Sequence, residues 1–343
     1  MNFVYNALPA RVVFGEGTLA QLAGEVSRLG SKRPFVVAGR HHRDAAVALG
    51  MRAFTDAAMH TPVEVTQQAM AALGDADCVI ALGGGSAIGL GKAIALRTDL
   101  PQIAIPTTYA GSEVTPVLGQ TEAGVKTTVR DLKVLPEVVL YDVQLTLSLP
   151  RALTVTSGLN AMAHAVEAMY SAEANPVISA FAEQALAAFA HALPELVDDL
   201  ADLEARGEAL YGAWTAGTCL GSVGMGLHHK LCHVLGGSFG LPHSETHSVI
   251  LPYATRYNAP AVPQSMARIA HAIEAEDGDA ANGLRALAKQ LGAPTALRDL
   301  GLAEADLDRA AELATAAPYP NPRAVDRAAI RELLQNAWQG AWA

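Results

Sequence analysis

The fold of this chain is decided by residues 77–86, which read DCVIALGGGS. The uninterrupted apolar run before the glycines is typical of a strand buried on both faces of a parallel sheet. A helical pattern follows from Ala87 to Leu96. A glycine loop between a strand and a helix suits an anion, because glycine lets the backbone approach a pyrophosphate and the helix N-terminus offers free N–H groups. The loop is not the GxGxxG fingerprint, so a tight packing turn stays open as the alternative.

Similar strand and helix patterns lie on both sides of this loop. The opening residues look like two short strands. Further buried strands are predicted at 35–39, 102–106 and 138–141, and helices at 18–29, 44–53 and 67–73. Strands that alternate with helices predict a doubly wound α/β domain with a parallel, Rossmann-like sheet.

The composition changes at Pro150. Beyond it the period-2 pattern nearly disappears and long Ala- and Leu-rich helical stretches follow, such as 178–196. We therefore predict an α/β domain over residues 1–150 and an all-α domain over residues 151–343.

Overall charge and composition narrow the class of protein. The 343 residues are 51% hydrophobic with a net charge of −10, which fits a compact enzyme and argues against nucleic acid or a membrane as partners. The three cysteines are widely spaced in apolar surroundings, and no secretion signal is recognisable at the N-terminus. We expect buried thiols and a cytoplasmic protein.

The chemistry is concentrated in residues 226–247, which hold five of the eleven histidines. His229 and His233 are four apart and share one face of a predicted helix. That helix is expected to break at Gly236-Gly237, leaving His243 on the loop beyond it. Asn160 and His164 repeat the spacing of four. Each histidine alone could be a core or surface residue, but together they predict one polar pocket.

A second loop resembles the glycine loop in its setting. Residues 106–113, PTTYAGSE, follow the strand predicted at 102–106 and offer hydroxyls beside a glycine. Two such loops at successive strand ends suggest a dinucleotide across the carboxyl edge of the sheet. After the strand ending at Gly39, residues 40–43 are Arg-His-His-Arg, where an acidic residue would exclude a 2′-phosphate. NADH and NADPH therefore both stay open.

With these motifs in view, the chain resembles the iron-containing alcohol dehydrogenase superfamily, and within it the maleylacetate reductases. The similarity runs from residues 8–15 to residues 320–323. The most specific motifs are GGGSAIGLGK (83–92), PTTYAGSE (106–113), GLNAMAHAVE (158–167) and GLHHKLCH (226–233).

The resemblance implies a fold and an activity. The fold would be that of dehydroquinate synthase and iron-containing alcohol dehydrogenases. The activity would be reduction of maleylacetate (4-oxohex-2-enedioate) to 3-oxoadipate with NADH or NADPH, in the degradation of aromatic compounds, by a homodimer. The expected catalytic residues are Asn160, His164, His229, His233, His243 and Tyr109. The expected cofactor-binding residues are Gly39, Gly83, Gly84, Gly85, Ser86, Thr107, Thr108, Ser112 and Lys126.

Two departures from the superfamily bear on metal binding. Metal-dependent members carry Asp where this chain has Asn160 and where it has Gly89, alongside histidines matching His164, His229 and His243. A carboxamide is a weaker ligand than a carboxylate. Three histidines can still hold Zn²⁺, so the substitution alone does not exclude a metal. Maleylacetate reductases, which this chain resembles in having Asn at this point, are regarded as working without metal. The resemblance therefore implies no catalytic metal, with an enolate stabilised by hydrogen-bond donors.

Several points stay open at this level. The substrate has two carboxylates, and the cationic candidates to bind them are Lys126, Arg130, Lys133, Lys230 and Arg323. Asp142 and Glu167 are expected to anchor structure. The alternatives are a metal-dependent alcohol dehydrogenase, a reductase of another unsaturated keto-acid, a lyase or cyclase of the dehydroquinate-synthase type, and a non-enzymatic binding protein.

Overall fold

The structure is a computed structural model that describes residues 3–8, 10–122 and 125–342. The chain forms two compact units. One spans Ala7–Leu149, and the other spans Pro150–Ala343 together with the first residues of the chain.

The first unit is built on a parallel sheet. Its strands are β1 (Arg11–Gly15), β2 (Pro34–Ala38), β3 (Arg52–Phe54), β4 (Cys78–Gly83), β5 (Gln102–Pro106) and, after a hairpin of β6 (Val117–Glu122) and β7 (Val125–Arg130), β8 (Val138–Asp142). The order across the sheet is β1-β8-β5-β4-β2-β3. The central strands β4, β5 and β8 are buried along their whole length, which explains their continuous apolar runs.

Four helices connect these strands. They are α1 (Leu22–Arg28), α2 (Arg43–Ala48), α3 (Val63–Leu73) and α4 (Gly85–Thr98). In the register of β4 and β5, Gly83 lies opposite Pro106, so the two loops predicted to bind a dinucleotide leave the sheet side by side.

Three local predictions in this unit were wrong. Two short strands were predicted in the opening residues, but the described residues among 3–15 form one strand, β1. The helix expected over 44–53 ends at Ala48, because the chain turns at Gly50 (φ +67°) into the short strand β3. Helix α4 begins at Gly85, two residues before the predicted start.

The second unit is helical. Its helices are α5 (Arg151–Tyr170), α6 (Pro176–Asp198), α7 (Leu203–Ser222), α8 (Leu227–Phe239), α9 (His243–Asn258), α10 (Pro263–Ala272), α11 (Ala280–Gln290), α12 (Leu307–Thr315) and α13 (Arg327–Gln339). Every residue of α5 from Thr154 to Tyr170 is buried, so polar residues on this helix lie inside the protein. The predicted fold class, a parallel α/β unit followed by helices, is confirmed.

One helix of this unit, α6, is long and apolar enough to cross a membrane by length and composition alone. Half of its most apolar window is buried against the rest of the protein. It packs on α5 and α7, as a core helix does.

The break predicted in the histidine-rich helix is wrong. Helix α8 continues through Gly236-Gly237 and ends at Phe239. The next residue, Gly240, is its C-terminal cap and has the left-handed conformation typical of one, with a φ of +70°. Neither Gly236 nor Gly237 has a positive φ within the helix. As a result, His243 is the first residue of α9 instead of a loop residue, and it shares a helix with His247.

Candidate active site

Six histidines gather in the helical unit. They come from three helices: His164 from α5, then His228, His229 and His233 from α8, and His243 and His247 from α9. Neighbouring rings in the group lie with their centroids 4.4 to 6.3 Å apart. We call this set the histidine cluster.

The cluster is graded in depth. His233 is exposed and His243 is half-buried, whereas His164 and His229 are 4% and 6% exposed. His228 and His247 lie deepest, at 1% and 0%. The structure therefore brings the predicted His164, His229, His233 and His243 together around two further histidines that the sequence reading had not singled out.

A hydrogen-bonded chain orders the most central part of the cluster. His229 Nδ1 lies 2.6 Å from Glu167 Oε2, and His229 Nε2 lies 2.7 Å from His164 Nδ1. Both histidines and Glu167 are buried. Because the carboxylate only accepts, His229 Nδ1–H donates to it. In the neutral ring, Nε2 then accepts from His164 Nδ1–H.

Glu167 also holds the start of helix α8. Its carboxylate accepts the backbone N–H groups of Gly226 (3.0 Å), His228 (2.8 Å) and His229 (3.3 Å). A carboxylate at a helix N-terminus satisfies otherwise unpaired donors and is stabilised by the helix dipole. Glu167 is therefore an anchor, as predicted, but it also orients His229, which the sequence reading missed.

Asn160 lies one turn before His164 on α5 and is 4% exposed. Its Oδ1 is buried without a hydrogen-bond partner in the described protein. A buried amide oxygen left without a donor is uncommon in folded proteins and points to a missing partner such as a ligand or water. Asn160, His164 and Glu167 follow at spacings of four and three, so they share one face of α5.

The two deepest histidines form a second pair. His228 Nε2 lies 2.9 Å from His247 Nδ1, and Cys232 Sγ lies 3.6 Å from His228 Nε2. Burial lowers the pKa of both His228 and His247 well below the ordinary value for histidine. Both rings are therefore neutral at physiological pH.

The two loops at the carboxyl edge of the sheet meet in the first unit. The backbone N–H of Thr107 donates to the carbonyl of Gly83 (3.2 Å). A Cβ atom placed on Gly84 would lie 2.7 Å from Thr108 Cγ2, so only glycine allows this approach. Glycine at position 84 is thus required by the packing of the loops on each other.

The start of α4 is the part of these loops that is open to a ligand. Gly85 is exposed, and a Cβ placed there would have no neighbour within 4 Å. Thr107 Oγ1 is buried and has no hydrogen-bond partner in the described protein. The loops therefore offer the free N–H groups of a helix N-terminus and an unpartnered hydroxyl, which suit a pyrophosphate. Gly84 is the residue before the helix, and Ser86 lies in its first turn.

A buried lysine fixes the second loop. Lys92 Nζ donates to the carbonyls of Ser112 (2.6 Å), Thr115 (2.8 Å) and Val117 (2.8 Å). Burial lowers the pKa of Lys92 to about 7, while the buried carboxylate of Glu113 opposes that shift. Ser112 is thus tied by its backbone to α4.

The other predicted residues have varied surroundings. Tyr109 is fully buried. Gly39 ends β2 and begins the basic loop, where Arg40 and Arg43 pair with Asp56 at 2.8 and 3.6 Å. The side chain of Lys126 lies outside the described part of the structure.

The candidate cations for substrate carboxylates do not form one group. Lys133 pairs with Asp99 at 3.3 Å on the surface of the α/β unit, and Arg130 is exposed on β7. Arg323 donates to the carbonyl of Tyr257 (3.0 Å) and stacks over its ring. Lys230 is half-buried on α8, next to His229 in sequence.

Two protein-family models match this chain, one in its α/β half and one in its helical half. Residues 9–143 match the family described as iron-containing alcohol dehydrogenase, and residues 154–338 match the C-terminal part of the Fe-containing alcohol dehydrogenase family. The fold and the site define an oxidoreductase. The chain belongs to the iron-containing alcohol dehydrogenase family.

Similar proteins place it within that family. A maleylacetate reductase from Rhizobium sp. (strain MTP-10005) is 56% identical over 99% of this chain and 98% of its own length. The crystal structure of a maleylacetate reductase from Agrobacterium tumefaciens superposes with a TM-score of 0.96 at 55% identity, covering 99% of both chains. The resemblance to maleylacetate reductases is confirmed. A sulfoacetaldehyde reductase from Bifidobacterium kashiwanohense, crystallised with NAD⁺, superposes with a TM-score of 0.90 at 25% identity, covering 98% of this chain and 99% of that one.

The family name points to iron, so membership does not support the expected absence of a catalytic metal. Asn160 stands where metal-dependent members carry aspartate, and a carboxamide is a weaker ligand than a carboxylate, so this donor set fits iron poorly. His164 Nδ1 and His229 Nε2 are 2.7 Å apart, within hydrogen-bond distance of each other.

Proposed function

We propose that this chain reduces the C=C bond of maleylacetate to give 3-oxoadipate, using NADH or NADPH. The observation that carries the proposal is the chain of hydrogen bonds from Glu167 through His229 to His164, which can hold and release a proton without a metal. The names of the maleylacetate reductases from Rhizobium and Agrobacterium support the same substrate.

The chemistry of an unsaturated ketone suits such a site. Hydride addition at the alkene carbon β to the ketone leaves an enolate, whose negative charge is delocalised onto oxygen. Hydrogen-bond donors can stabilise that charge, whereas an isolated alkoxide needs more help, such as a metal. The α-carbon then needs one proton.

We assign that proton to the hydrogen-bonded chain. When the chain takes up a proton, His229 becomes an imidazolium between Glu167 and His164. Its Nε2–H then donates to His164 Nδ1, and the proton of His164 is carried on Nε2. His164 Nε2 is therefore the atom that delivers the proton, with Glu167 stabilising the charged form of His229.

The remaining predicted residues have supporting roles in this proposal. His233 and His243, which are less buried than His164 and His229, donate hydrogen bonds to the substrate oxygens. The amide NH₂ of Asn160 donates to the substrate, while its buried Oδ1 accepts a hydrogen bond from a water. We assign to Lys230, a half-buried cation on the same helix, the attraction of a carboxylate of the small dicarboxylate substrate.

The glycine and hydroxyl loops of the first unit suit a nicotinamide dinucleotide. When bound, the reduced nicotinamide supplies the hydride. Gly85 leaves the backbone open to the pyrophosphate, Gly83 and Gly84 allow the close packing of the loop behind it, and Ser86, Thr107 and Thr108 supply hydroxyl groups. The NAD⁺ complex of the sulfoacetaldehyde reductase supports this assignment.

The first test is NADH oxidation by the purified protein with freshly generated maleylacetate, with and without prior EDTA treatment. We expect turnover that EDTA leaves unchanged, because the histidine chain supplies the proton and the donors. Turnover lost to EDTA and restored by Fe²⁺ would contradict the metal-free mechanism but retain the reductase. Absence of turnover in both samples would contradict the substrate.

Two neighbouring glycines give a prediction for the cofactor loop. We expect Gly84→Ala to lower the free energy of unfolding by about 1–3 kcal/mol, because the new Cβ overlaps Thr108. Gly85→Ala meets no protein atom, so we expect unchanged stability but at least tenfold weaker NADH binding. Thermal unfolding and fluorescence titration with NADH measure the two effects. Equal NADH affinity in Gly85→Ala and the wild type would show that the dinucleotide does not approach the start of α4.

The setting of the reaction is proposed from the family and the composition. We place the protein in the cytoplasm as a homodimer, with no nucleic acid or membrane partner. Light scattering on the purified protein tests the dimer.

A further inference from the structure

We propose that His228, Cys232 and His247 form a binding site for a Zn²⁺-class cation, separate from the positions at which the family binds iron. Within the described residues, this is the one group of three or more His, Cys, Asp or Glu side chains whose ligand atoms all lie within 4.8 Å of one another. The inference is independent of the proposed substrate.

The distances are close to those between the ligands of a bound zinc ion. Ligands bound at about 2.0 Å (nitrogen) and about 2.3 Å (sulfur) stand about 3.3 Å (N–N) and about 3.5 Å (N–S) apart. His228 Nε2 and His247 Nδ1 are 2.9 Å apart, and Cys232 Sγ is 3.6 Å from His228 Nε2. A shift of a few tenths of an ångström would admit the ion.

Helical spacing explains how the three ligands meet. His228 and Cys232 are four apart on α8, so they lie on one face. His247 comes from α9, which packs against α8. All three are at most 1% exposed.

The donor set selects the kind of cation. Two neutral imidazoles and a thiolate favour Zn²⁺ over hard cations that prefer oxygen. On binding, His228 carries its proton on Nδ1, which is buried without a partner in the described protein, and the Cys232 thiol releases one proton.

A neighbouring carboxylate can balance the charge of the bound cation, and a partly exposed histidine lies between the site and the surface. The cation and the thiolate together leave one positive charge, and the Glu167 carboxylate binds the backbone N–H of His228 at 2.8 Å, close enough to balance it. His243, which is half-buried, lies in ring contact with His247 at 4.4 Å. An ion that enters at the partly exposed His243 therefore meets imidazole nitrogens on its way to His247.

Cobalt spectroscopy tests the proposal without an activity assay. We expect the reduced, EDTA-treated protein to bind one equivalent of Co²⁺ and to develop a thiolate-to-cobalt charge-transfer band. Cys232→Ser should abolish the band and weaken binding by more than about 100-fold, since even the partners of metal ligands are worth 10–100-fold. Cys219→Ser is the matched control, because Cys219 is also fully buried but lies on α7 and contacts the Ile178 carbonyl; it should keep the band.

The results of the cobalt experiment can be told apart from a failure of the proposed reductase activity, because the experiment measures metal binding alone. Cobalt bound at the family's positions would show no thiolate band, and that result overturns the proposal, as does a band that persists in Cys232→Ser. If Cys232→Ser does not fold, His247→Asn removes an imidazole ligand and retains the thiol. Retention of equimolar tight binding by that variant overturns the proposal, and its loss supports it.

Discussion

Glu167→Gln is expected to lower kcat by about 10⁴-fold, the largest effect of any single substitution in the site. Glu167 holds His229 through its Nδ1–H and stabilises the protonated ring. An amide has one acceptor oxygen, but Glu167 accepts from three backbone N–H groups and from the imidazole. The amide NH₂ must therefore face another donor, so we also expect the free energy of unfolding to fall by about 2–4 kcal/mol.

Separate values of kcat and KM distinguish the positioning role of Glu167 from a merely structural one. We expect Glu167→Gln to lower kcat and to leave KM for maleylacetate nearly unchanged, because the carboxylate orients His229 and does not bind the substrate. Loss of stability alone would lower the folded fraction without changing kcat per folded molecule. Glu173→Gln is the matched control, because Glu173 accepts from the backbone of Gly224 before the same helix but is exposed and touches no histidine in the described contacts. A raised KM with unchanged kcat in Glu167→Gln, or an equal loss of turnover in Glu173→Gln, would refute the proton chain.

Asn160→Asp is expected to give the second-largest effect. A carboxylate at this position would oppose the developing enolate. Two like charges about 4 Å apart cost about 4 kcal/mol in partly buried surroundings, which corresponds to about a 10³-fold loss of metal-free turnover. The same change supplies a hard anionic ligand, the aspartate that the resemblance assigns to metal-dependent members of the superfamily at this position. The affinity of the protein for Fe²⁺ or Zn²⁺ should therefore rise.

Calorimetry with Fe²⁺ or Zn²⁺ and turnover after EDTA treatment measure both effects of Asn160→Asp. Asn160→Ala is the control, since it removes the amide oxygen without adding charge. We expect it to lose about tenfold in kcat, the worth of one hydrogen bond. Wild-type turnover of metal-depleted Asn160→Asp would place Asn160 away from the enolate.

The sequence by itself determined the class of fold and much of the list of reactive groups. Apolar runs with strand and helix periods depend on neighbours along the chain, so the sheet strands and the helical second half could be read directly. The glycine loop and the spacing of four between Asn160 and His164 are equally local. The family resemblance added the substrate class.

Turn chemistry was less readable, because it depends on which of several candidates adopts a special backbone conformation. Three glycines stand near the end of α8, and only Gly240 has the left-handed φ of a helix cap. Choosing Gly236-Gly237 put His243 on a loop and concealed its helical partner His247. The spacing of four between these two histidines was the available signal.

Only the tertiary structure decided how the groups work together. His229 meets Glu167 across 62 residues of chain and His164 across 65, and no local pattern encodes such a pairing. The cluster also separates into a Glu167–His229–His164 chain and a deeper His228–Cys232–His247 group. That separation arises because adjacent residues on α8 point in directions about 100° apart, so His228 and His229 face different neighbours once α5 and α9 pack around them.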